Sequence, residues 1–283
     1  MTGAVLSSVR PGARAARIFA YAAIWFFLFF PVYWLVVTAF KSQSEIFVQF
    51  PGLLPAAPTL ANFTRALSRS HLPLYLMNSL ITAGGSAVIT TGFAALAAFG
   101  FAKYRFRGQS KLMLLILTAQ MFPYGVILIS LYSYFRMLGL LDTLAGLTLS
   151  YAVFSLPPAI YILYSYYASL PDELLEAARI DGAGELAIFL RIALPLSVPA
   201  LIAVAVYCFM AAWNDLLYSL TLVTRDDLRT IGPGLLLTFF GEMQQDWAGA
   251  MAASVLASLP AVLVFAFLQR YFLQGLTMGA VKS

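Results

Sequence analysis

Residues 75–102 read YLMNSLITAGGSAVITTGFAALAAFGFA and contain no charged side chain. About 20 apolar residues suffice for a helix to cross the roughly 30 Å hydrocarbon core of a bilayer, so this stretch predicts a membrane span. Small side chains recur at every fourth position, on one stripe of the helix, where another backbone can approach closely. Such a stripe fits packing within one bundle or contact between subunits. Its members are Thr82, Ser86, Thr90, Ala94, Ala98 and Ala102.

The composition of the whole chain agrees with a membrane protein. Of 283 residues, 61% are hydrophobic and only 10% are charged, and the mean hydropathy is +0.86. A soluble domain has roughly 25% charged residues, so a water-soluble globule is excluded. Long apolar segments predict an all-α polytopic protein with six spans, near residues 18–40, 75–102, 112–135, 143–167, 197–222 and 249–272. Pro123 is expected to kink or loosen the third.

The basic residues predict the orientation of the chain. With an N-terminus inside the cell, most of them fall on the cytoplasmic side, as the positive-inside rule requires. We therefore predict one domain over residues 1–283 in the cytoplasmic (inner) membrane of a prokaryote, with residues 1–17, 168–196 and 274–283 in the cytoplasm. Eleven of the 17 basic residues support this orientation, namely Arg10, Arg14, Arg17, Lys103, Arg105, Arg107, Lys111, Arg179, Arg191, Arg270 and Lys282.

The segment between the fourth and fifth spans differs from the rest of the chain. Residues 169–195 read SLPDELLEAARIDGAGELAIFLRIALP, which predicts a short cytoplasmic helix. Pro171 suits the first helical position, and Asp172 and Glu173 complement the positive end of the helix dipole. Gly182 together with Gly184 predicts a left-handed stop.

The faces of this acidic helix suggest a protein partner. Spacing places Leu174, Ala177, Ala178 and Asp181 on one side, and allows an ion pair between Glu176 and Arg179 on another. An interfacial helix lying in the lipid headgroups is the alternative interpretation. Five acids and a single arginine within residues 172–185 argue against it, because anionic lipid would repel them.

The same segment resembles a known family. Its pattern is similar to the EAA loop of the membrane subunits of binding-protein-dependent ABC importers, and the longer pattern resembles the carbohydrate branch with MalG-type permeases. The resemblance covers residues from about 20 to the end of the chain. The matching residues are Pro171, Glu176-Ala177-Ala178, Asp181-Gly182-Ala183, Phe189, Ile192, Leu194-Pro195, Pro199, Gly139 to Thr143, Trp213 to Leu216 and Gly275 to Ser283.

The resemblance implies a type I ABC importer permease fold and a role in sugar transport. The acidic helix would be a coupling helix that docks in a cleft of a cytoplasmic ATPase subunit. Its docking residues would be Glu176 for polar contact, Ala177 and Ala178 for close approach, Arg179, Asp181, and Gly182 for the turn; Gly279 and Lys282 of the tail would also reach the ATPase.

The implied partners are a second, MalF-like permease subunit, two MalK-like ATPase subunits, an extracytoplasmic solute-binding protein and membrane lipid, without nucleic acid. The chain has no phosphate-binding G-x-x-x-x-G-K-[ST] loop, so ATP and Mg would be bound by the partner ATPases and this chain would bind no cofactor. A lone Cys208 and a lone His71 provide no catalytic or metal-binding set, so we expect no enzymatic activity.

Residues near the end of the fifth span leave alternatives open. Asp215 is an acid at the edge of an apolar segment, where it caps or braces the helix or serves a proton relay or ion site. In the resembling family this segment neighbours the translocation path, which makes Asn214, Asp215 and Tyr218 candidates to line it. The rival functions are a secondary transporter or channel that works without ATP, and a structural scaffold.

Overall fold

The computed structural model describes the backbone of residues 11–68, 70–240 and 246–280, and the side chains of residues 17–68, 70–240 and 246–269. These residues form helices joined by turns and loops, with no strand among them. In chain order the α-helices are α1 (Pro11–Ala39), α2 (Gln43–Ile46), α3 (Ala61–Ser68), α4 (Leu72–Lys103), α5 (Gln109–Thr118), α6 (Tyr124–Leu138), α7 (Leu144–Ser169), α8 (Asp172–Ile180), α9 (Glu185–Ile188), α10 (Leu194–Leu196), α11 (Val198–Trp213), α12 (Leu217–Leu222), α13 (Ile231–Phe239) and α14 (Trp247–Ala280).

Helix α4 lies at the centre of the bundle, packed against α7 and α11. The predicted stripe of small residues is buried from Thr82 to Ala98, with Ala102 half-buried. Thr90 donates a hydrogen bond across the contact to the carbonyl oxygen of Ala152 in α7, at 3.2 Å. Gly85 faces Thr148 so closely that a Cβ atom would lie 3.1 Å from its methyl group. The stripe therefore serves packing within this chain.

Four helices of the described residues are long and apolar enough to cross a membrane, in the ranges Arg17–Ala39, Leu72–Lys103, Leu144–Ser169 and Trp247–Gln269. Two bent helix pairs bring the total to six if each pair is one span. Much of the apolar surface of α1 is exposed, including Phe19 and Phe27, as expected for a helix that faces lipid.

The third predicted span, residues 112–135, is not one helix. Residues Gln109–Met121 and Tyr124–Leu138 meet at 97°, with Pro123 in an extended conformation between them. Proline lacks an N–H and disfavours the helical conformation of the residue before it, here Phe122 with ψ of 133°. The expected kink is confirmed, and it is a complete break.

The fifth predicted span, residues 197–222, is also interrupted. Helix α11 ends at Trp213, and residues 217–222 form the separate helix α12. Before α11, residues Glu185–Leu196 meet Val198–Trp213 at 77° after a π-helical turn over Phe189–Ala193. The last helix, by contrast, continues past the predicted end of the sixth span to Ala280.

Candidate functional site

The acidic helix α8 has well-defined ends. Pro171 is extended, with φ of −57° and ψ of 131°, so the helix begins one residue later than predicted, at Asp172. At its other end Gly182 has φ of +83°; its N–H donates to the carbonyl of Arg179 at 3.0 Å, and that of Ala183 donates to Ala178 at 2.9 Å. These two bonds form a Schellman motif, which stops the helix.

Gly184 takes no part in the left-handed stop. Its φ is −70°, an ordinary value for any residue, and it lies just before α9. The predicted stop therefore depends on Gly182 alone. A residue with a Cβ atom at position 182 would be strained by roughly 1–3 kcal/mol.

Lys103 fastens the start of α8 to the end of α4. Its ammonium group donates to the Asp172 carboxylate at 2.7 Å and to the carbonyl oxygen of Leu170 at 2.7 Å. The lysine side chain is only 5% exposed, although the aspartate is 74% exposed. The hydrogen bond from Lys103, together with its positive charge, lowers the pKa of Asp172. The acidic helix is thus joined directly to the central helix of the bundle.

A second attachment holds the far end of α8. The Arg179 guanidinium forms a forked ion pair with Glu185, with N–O distances of 2.8 and 3.2 Å. The Tyr104 hydroxyl donates to the same carboxylate. The predicted Glu176–Arg179 pair is wrong, because the turn at Gly182 brings Glu185 back to the guanidinium, where a two-bond geometry is available.

The structure divides α8 into an inward and an outward face. Leu175 and Ala178 are buried, whereas Leu174 and Ala177, which the spacing places on the same side as Ala178, are exposed. Ala178 is therefore turned inward and does not present the surface for close approach that the resemblance implies. At about 100° per residue, Glu173, Ala177 and Ile180 share the outward face. We call these three residues the outer face of α8. Ile180 is 86% exposed, and no pattern in the sequence indicates its role, because it lies between the charged Arg179 and Asp181.

We expect the Lys103 contact to control the stability of this loop. In Lys103→Gln, amide hydrogen exchange over residues 172–180 at pH 7 is expected to rise severalfold, while Arg107→Gln, which neutralises an exposed cation of the same connection, leaves it unchanged. The folded pKa of Asp172 is depressed, so its contribution is present above about pH 4 and is lost as the pH falls further. Equal exchange in both variants and the parent would contradict this anchoring.

A second polar cluster lies at the opposite end of α7 and α11. The Asp215 carboxylate accepts hydrogen bonds from the hydroxyls of Tyr124 and Tyr151, each at 2.9 Å, and from the backbone N–H of Ser219 at 3.0 Å and of Tyr218 at 3.4 Å. It therefore caps α12 and joins it to α6 and α7. These contacts agree with the interpretation in which Asp215 caps and braces a helix.

The three candidate path residues differ in accessibility. Asn214 is exposed, and its amide donates to the carbonyl oxygen of Met210 at 2.8 Å. Tyr218 is fully buried; its hydroxyl donates to the carbonyl oxygen of Tyr124 at 3.0 Å, and its ring packs against Tyr124 and Phe154 with centroids 4.2 and 4.8 Å away. Tyr124 directly follows Pro123, where the third span is broken. The contacts of Tyr124 with Asp215 and Tyr218 therefore hold that span at the break.

Helix α4 is also fixed at its first turns. Tyr75 donates to Asp226 at 2.8 Å, and His71 contacts the other oxygen of that carboxylate. The Asn78 amide donates to the carbonyl oxygens of Asp227 and Arg229 at 3.0 and 2.9 Å. The loop before α13 is thus attached to the opposite end of the helix from Lys103.

The predicted ATPase contacts of the tail involve Gly279 and Lys282. Gly279 lies in the last turn of α14, where only the backbone is described, and Lys282 lies outside the described residues. Elsewhere in the described part of the chain, no group of three potential metal ligands occurs.

Comparison with known proteins identifies the family. The model of the family "Binding-protein-dependent transport system inner membrane component" matches residues 90–278, which include α8 and the Asp215 cluster. The chain is 35% identical to the trehalose/maltose transport system permease protein MalG of Thermococcus litoralis, over 90% of this chain and 91% of that protein. It is 36% identical to the diacetylchitobiose uptake system permease protein DasC of Streptomyces coelicolor, over 90% and 92%.

A solved structure supports the fold. A chain of a bacterial ABC transporter involved in the import of the acidic polysaccharide alginate superposes with a TM-score of 0.83, at 21% identity, over 96% of this chain and all of that one. The resemblance to MalG-type permeases and the type I importer permease fold are confirmed. The chain therefore belongs to the binding-protein-dependent transport system inner membrane components, as a non-catalytic permease subunit of an ABC importer whose ATPase resides in partner subunits.

Proposed function

We propose that this permease subunit imports a sugar or sugar-like solute and receives mechanical work from an ATPase through α8. The single observation that carries the coupling is Ile180, a large apolar side chain that is 86% exposed on a helix held at both ends by ion pairs. A large apolar side chain that is exposed on a firmly held helix is typical of a residue that anchors an interface. The family supports the same role, because it comprises inner membrane components of binding-protein-dependent transport systems, and the superposed chain belongs to an ABC transporter.

The residues of α8 take different parts in the proposed docking. Glu173, Ala177 and Ile180 contact a MalK-like ATPase, with Glu176 and Asp181 at the edges of that contact. Ala178 and Arg179 position the helix from within this chain, since one is buried and the other is paired with Glu185. Gly182 ends the helix. The tail residues Gly279 and Lys282 add a second contact with the ATPase.

The proposed orientation follows from the charges, and the proposed assembly follows from the family. Residues 1–283 act as one permease domain in the inner membrane of a prokaryote, with residues 1–17, 168–196 and 274–283 in the cytoplasm, because most basic residues then lie inside. The chain pairs with a MalF-like permease, two MalK-like ATPases and an extracytoplasmic solute-binding protein. ATP and Mg are held by the ATPases, and this chain binds neither.

The sugar class is proposed from the relatives, which transport trehalose and maltose or take up diacetylchitobiose. Along the path, Asn214 offers its side chain to the solute, and Asp215 and Tyr218 support the wall from behind, since both are engaged by protein groups. Mass spectrometry of the solute that copurifies with the binding protein tests this class. A carbohydrate is expected, and an amino acid or a peptide would refute the assignment.

Cross-linking tests the docking face. In the assembled transporter, Ala177→Cys is expected to cross-link to the ATPase through a short thiol–amine reagent, whereas Ala178→Cys, one residue further and turned inward, is not. The native Cys208 is buried and can be retained. A gel shift detects the cross-linked product, and peptide mass spectrometry identifies the residues that it joins. Cross-linking from both positions, or from neither, would contradict the proposed face.

A further inference from the structure

A polar cavity of about 730 Å³ lies beside α8, on the side away from its outer face. Its walls are the end of α4, the connection to α5 and one stripe of α8. The cavity is lined by six charged side chains, namely Lys103, Arg105, Lys111, Asp172, Glu176 and Arg179. The outer face of α8, Glu173, Ala177 and Ile180, does not line this cavity, and only Glu176 at the edge of the proposed docking contact borders both, so the cavity requires a separate explanation.

The charges of the cavity do not balance. Lys103 is paired with Asp172, and Arg179 is paired with Glu185. Arg105 and Lys111 are exposed and form no hydrogen bond or ion pair with any described residue. The charge of Arg105 helps to lower the pKa of Asp172, but that carboxylate is already bonded to Lys103, which leaves Glu176 as the one unpaired acid in the wall. Two unpaired cations, Arg105 in the connection after α4 and Lys111 in the first turn of α5, favour an anionic ligand, and arginine suits the oxygens of a phosphate.

The location of the cavity narrows the class of ligand. It opens where α4 ends at Lys103 and the next apolar helix begins at Gln109, and from the ends of these two helices we infer that the boundary between hydrocarbon and water lies there. Apolar side chains complete the wall, among them Phe101 and Phe106, whose rings lie 5.7 Å apart, and Leu175. A ligand with an anionic head and an apolar body matches both features.

We propose that the cavity binds the phosphate headgroup of an anionic phospholipid, with Arg105 and Lys111 on the phosphate and the acyl chains passing Phe101 into the bilayer. The inference rests on the proposed function in one respect: the end of the molecule that carries α8 must lie at the cytoplasmic leaflet. A bound lipid contacts both the 103–111 connection and α8, so it strengthens the attachment of the proposed coupling helix. Phosphatidylglycerol is the simplest lipid of this class.

The test compares two double variants of the complete transporter. Arg105→Gln/Lys111→Gln removes both unpaired cations of the cavity. Arg107→Gln/Arg191→Gln removes two exposed cations from the same end of the molecule that do not line it. Complexes in nanodiscs containing phosphatidylglycerol and phosphatidylcholine are extracted, and retained phosphatidylglycerol is counted by native mass spectrometry. We expect the cavity variant to retain at least tenfold less, with the control like the parent.

Further arms separate the source of the phosphate. If inorganic phosphate or glycerol phosphate at millimolar concentration displaces the lipid and binds equally well in pure phosphatidylcholine, the site belongs to a soluble anion and the lipid proposal is overturned. Equal retention by both double variants also overturns it. Cross-linking from Ala177→Cys in each variant reports docking separately, so failure of this site and failure of the coupling assignment are distinguishable.

Discussion

Replacing Ile180 with aspartate is expected to lower ATP-dependent solute uptake by at least about tenfold while the protein still inserts into the membrane. Ile180 is 86% exposed on the outer face of α8, so the change costs the isolated chain little. In a docked complex the new carboxylate would be buried without a partner. An unpaired buried charge or a lost apolar anchor costs 1.4 kcal/mol or more, which corresponds to about tenfold in affinity.

The measurement is copurification of the ATPase with the tagged permease, together with uptake into proteoliposomes. Ile180→Leu is the matched control, because it keeps the apolar volume and should retain both activities. Leu186→Asp provides a second comparison, since Leu186 is 66% exposed but lies beyond the stop at Gly182. If Ile180→Asp copurifies with the ATPase as well as the parent does, Ile180 is not an anchor and the docking proposal loses its main support.

Replacing Asp215 with alanine is expected to produce the largest loss of stability. One carboxylate accepts four hydrogen bonds, from two tyrosine hydroxyls and two backbone N–H groups. Tyr151 is buried and keeps its hydroxyl without an acceptor in the variant. Each buried donor left unpaired costs about 1–3 kcal/mol, so the total is about 3 kcal/mol. Such a loss lowers the melting temperature by roughly 6–12 °C.

Thermal unfolding of the detergent-solubilised protein tests this expectation, and its neighbour provides the control. Asn214→Ala removes one hydrogen bond to Met210 within the same turn and should shift the melting temperature by only a few degrees. Asp215→Asn keeps an acceptor oxygen and should lie between the two. If Asp215→Ala instead melts like the parent but loses transport selectively, the residue acts in the path or in ion movement and the bracing interpretation fails.

The sequence predicts those features that depend on neighbours along the chain. Apolar length predicts the spans, and Gly182 predicts the end of α8, because a positive φ is a property of one residue. Contacts between distant residues were not predictable. The Lys103–Asp172 pair joins positions separated by 69 residues, and the four donors to Asp215 come from three different helices or turns.

The errors within α8 have a similar origin. Spacing allows Glu176 and Arg179 to pair, but it cannot show that Glu185 returns to the guanidinium after the turn. It also cannot decide whether Ala178, at the border between two faces, is turned inward, since that depends on what packs there. At Pro123 the sequence predicts a disturbance of the helix, while its size of 97° depends on how Tyr124 is held by Asp215 and Tyr218.

Helix α4 is one unbroken helix of 32 residues, about 48 Å long, and each of its ends is bonded to another segment of the chain. Tyr75 and Asn78 hold the loop around Asp226 at one end, and Lys103 holds α8 at the other. A tilt of only 5° about one end displaces the other by about 4 Å, more than the 1–2 Å helix shifts common in regulated proteins. In the orientation proposed above, a displacement that a loaded binding protein causes at the Asp226 end of α4 reaches α8 and its ATPase through the tilt of a single helix.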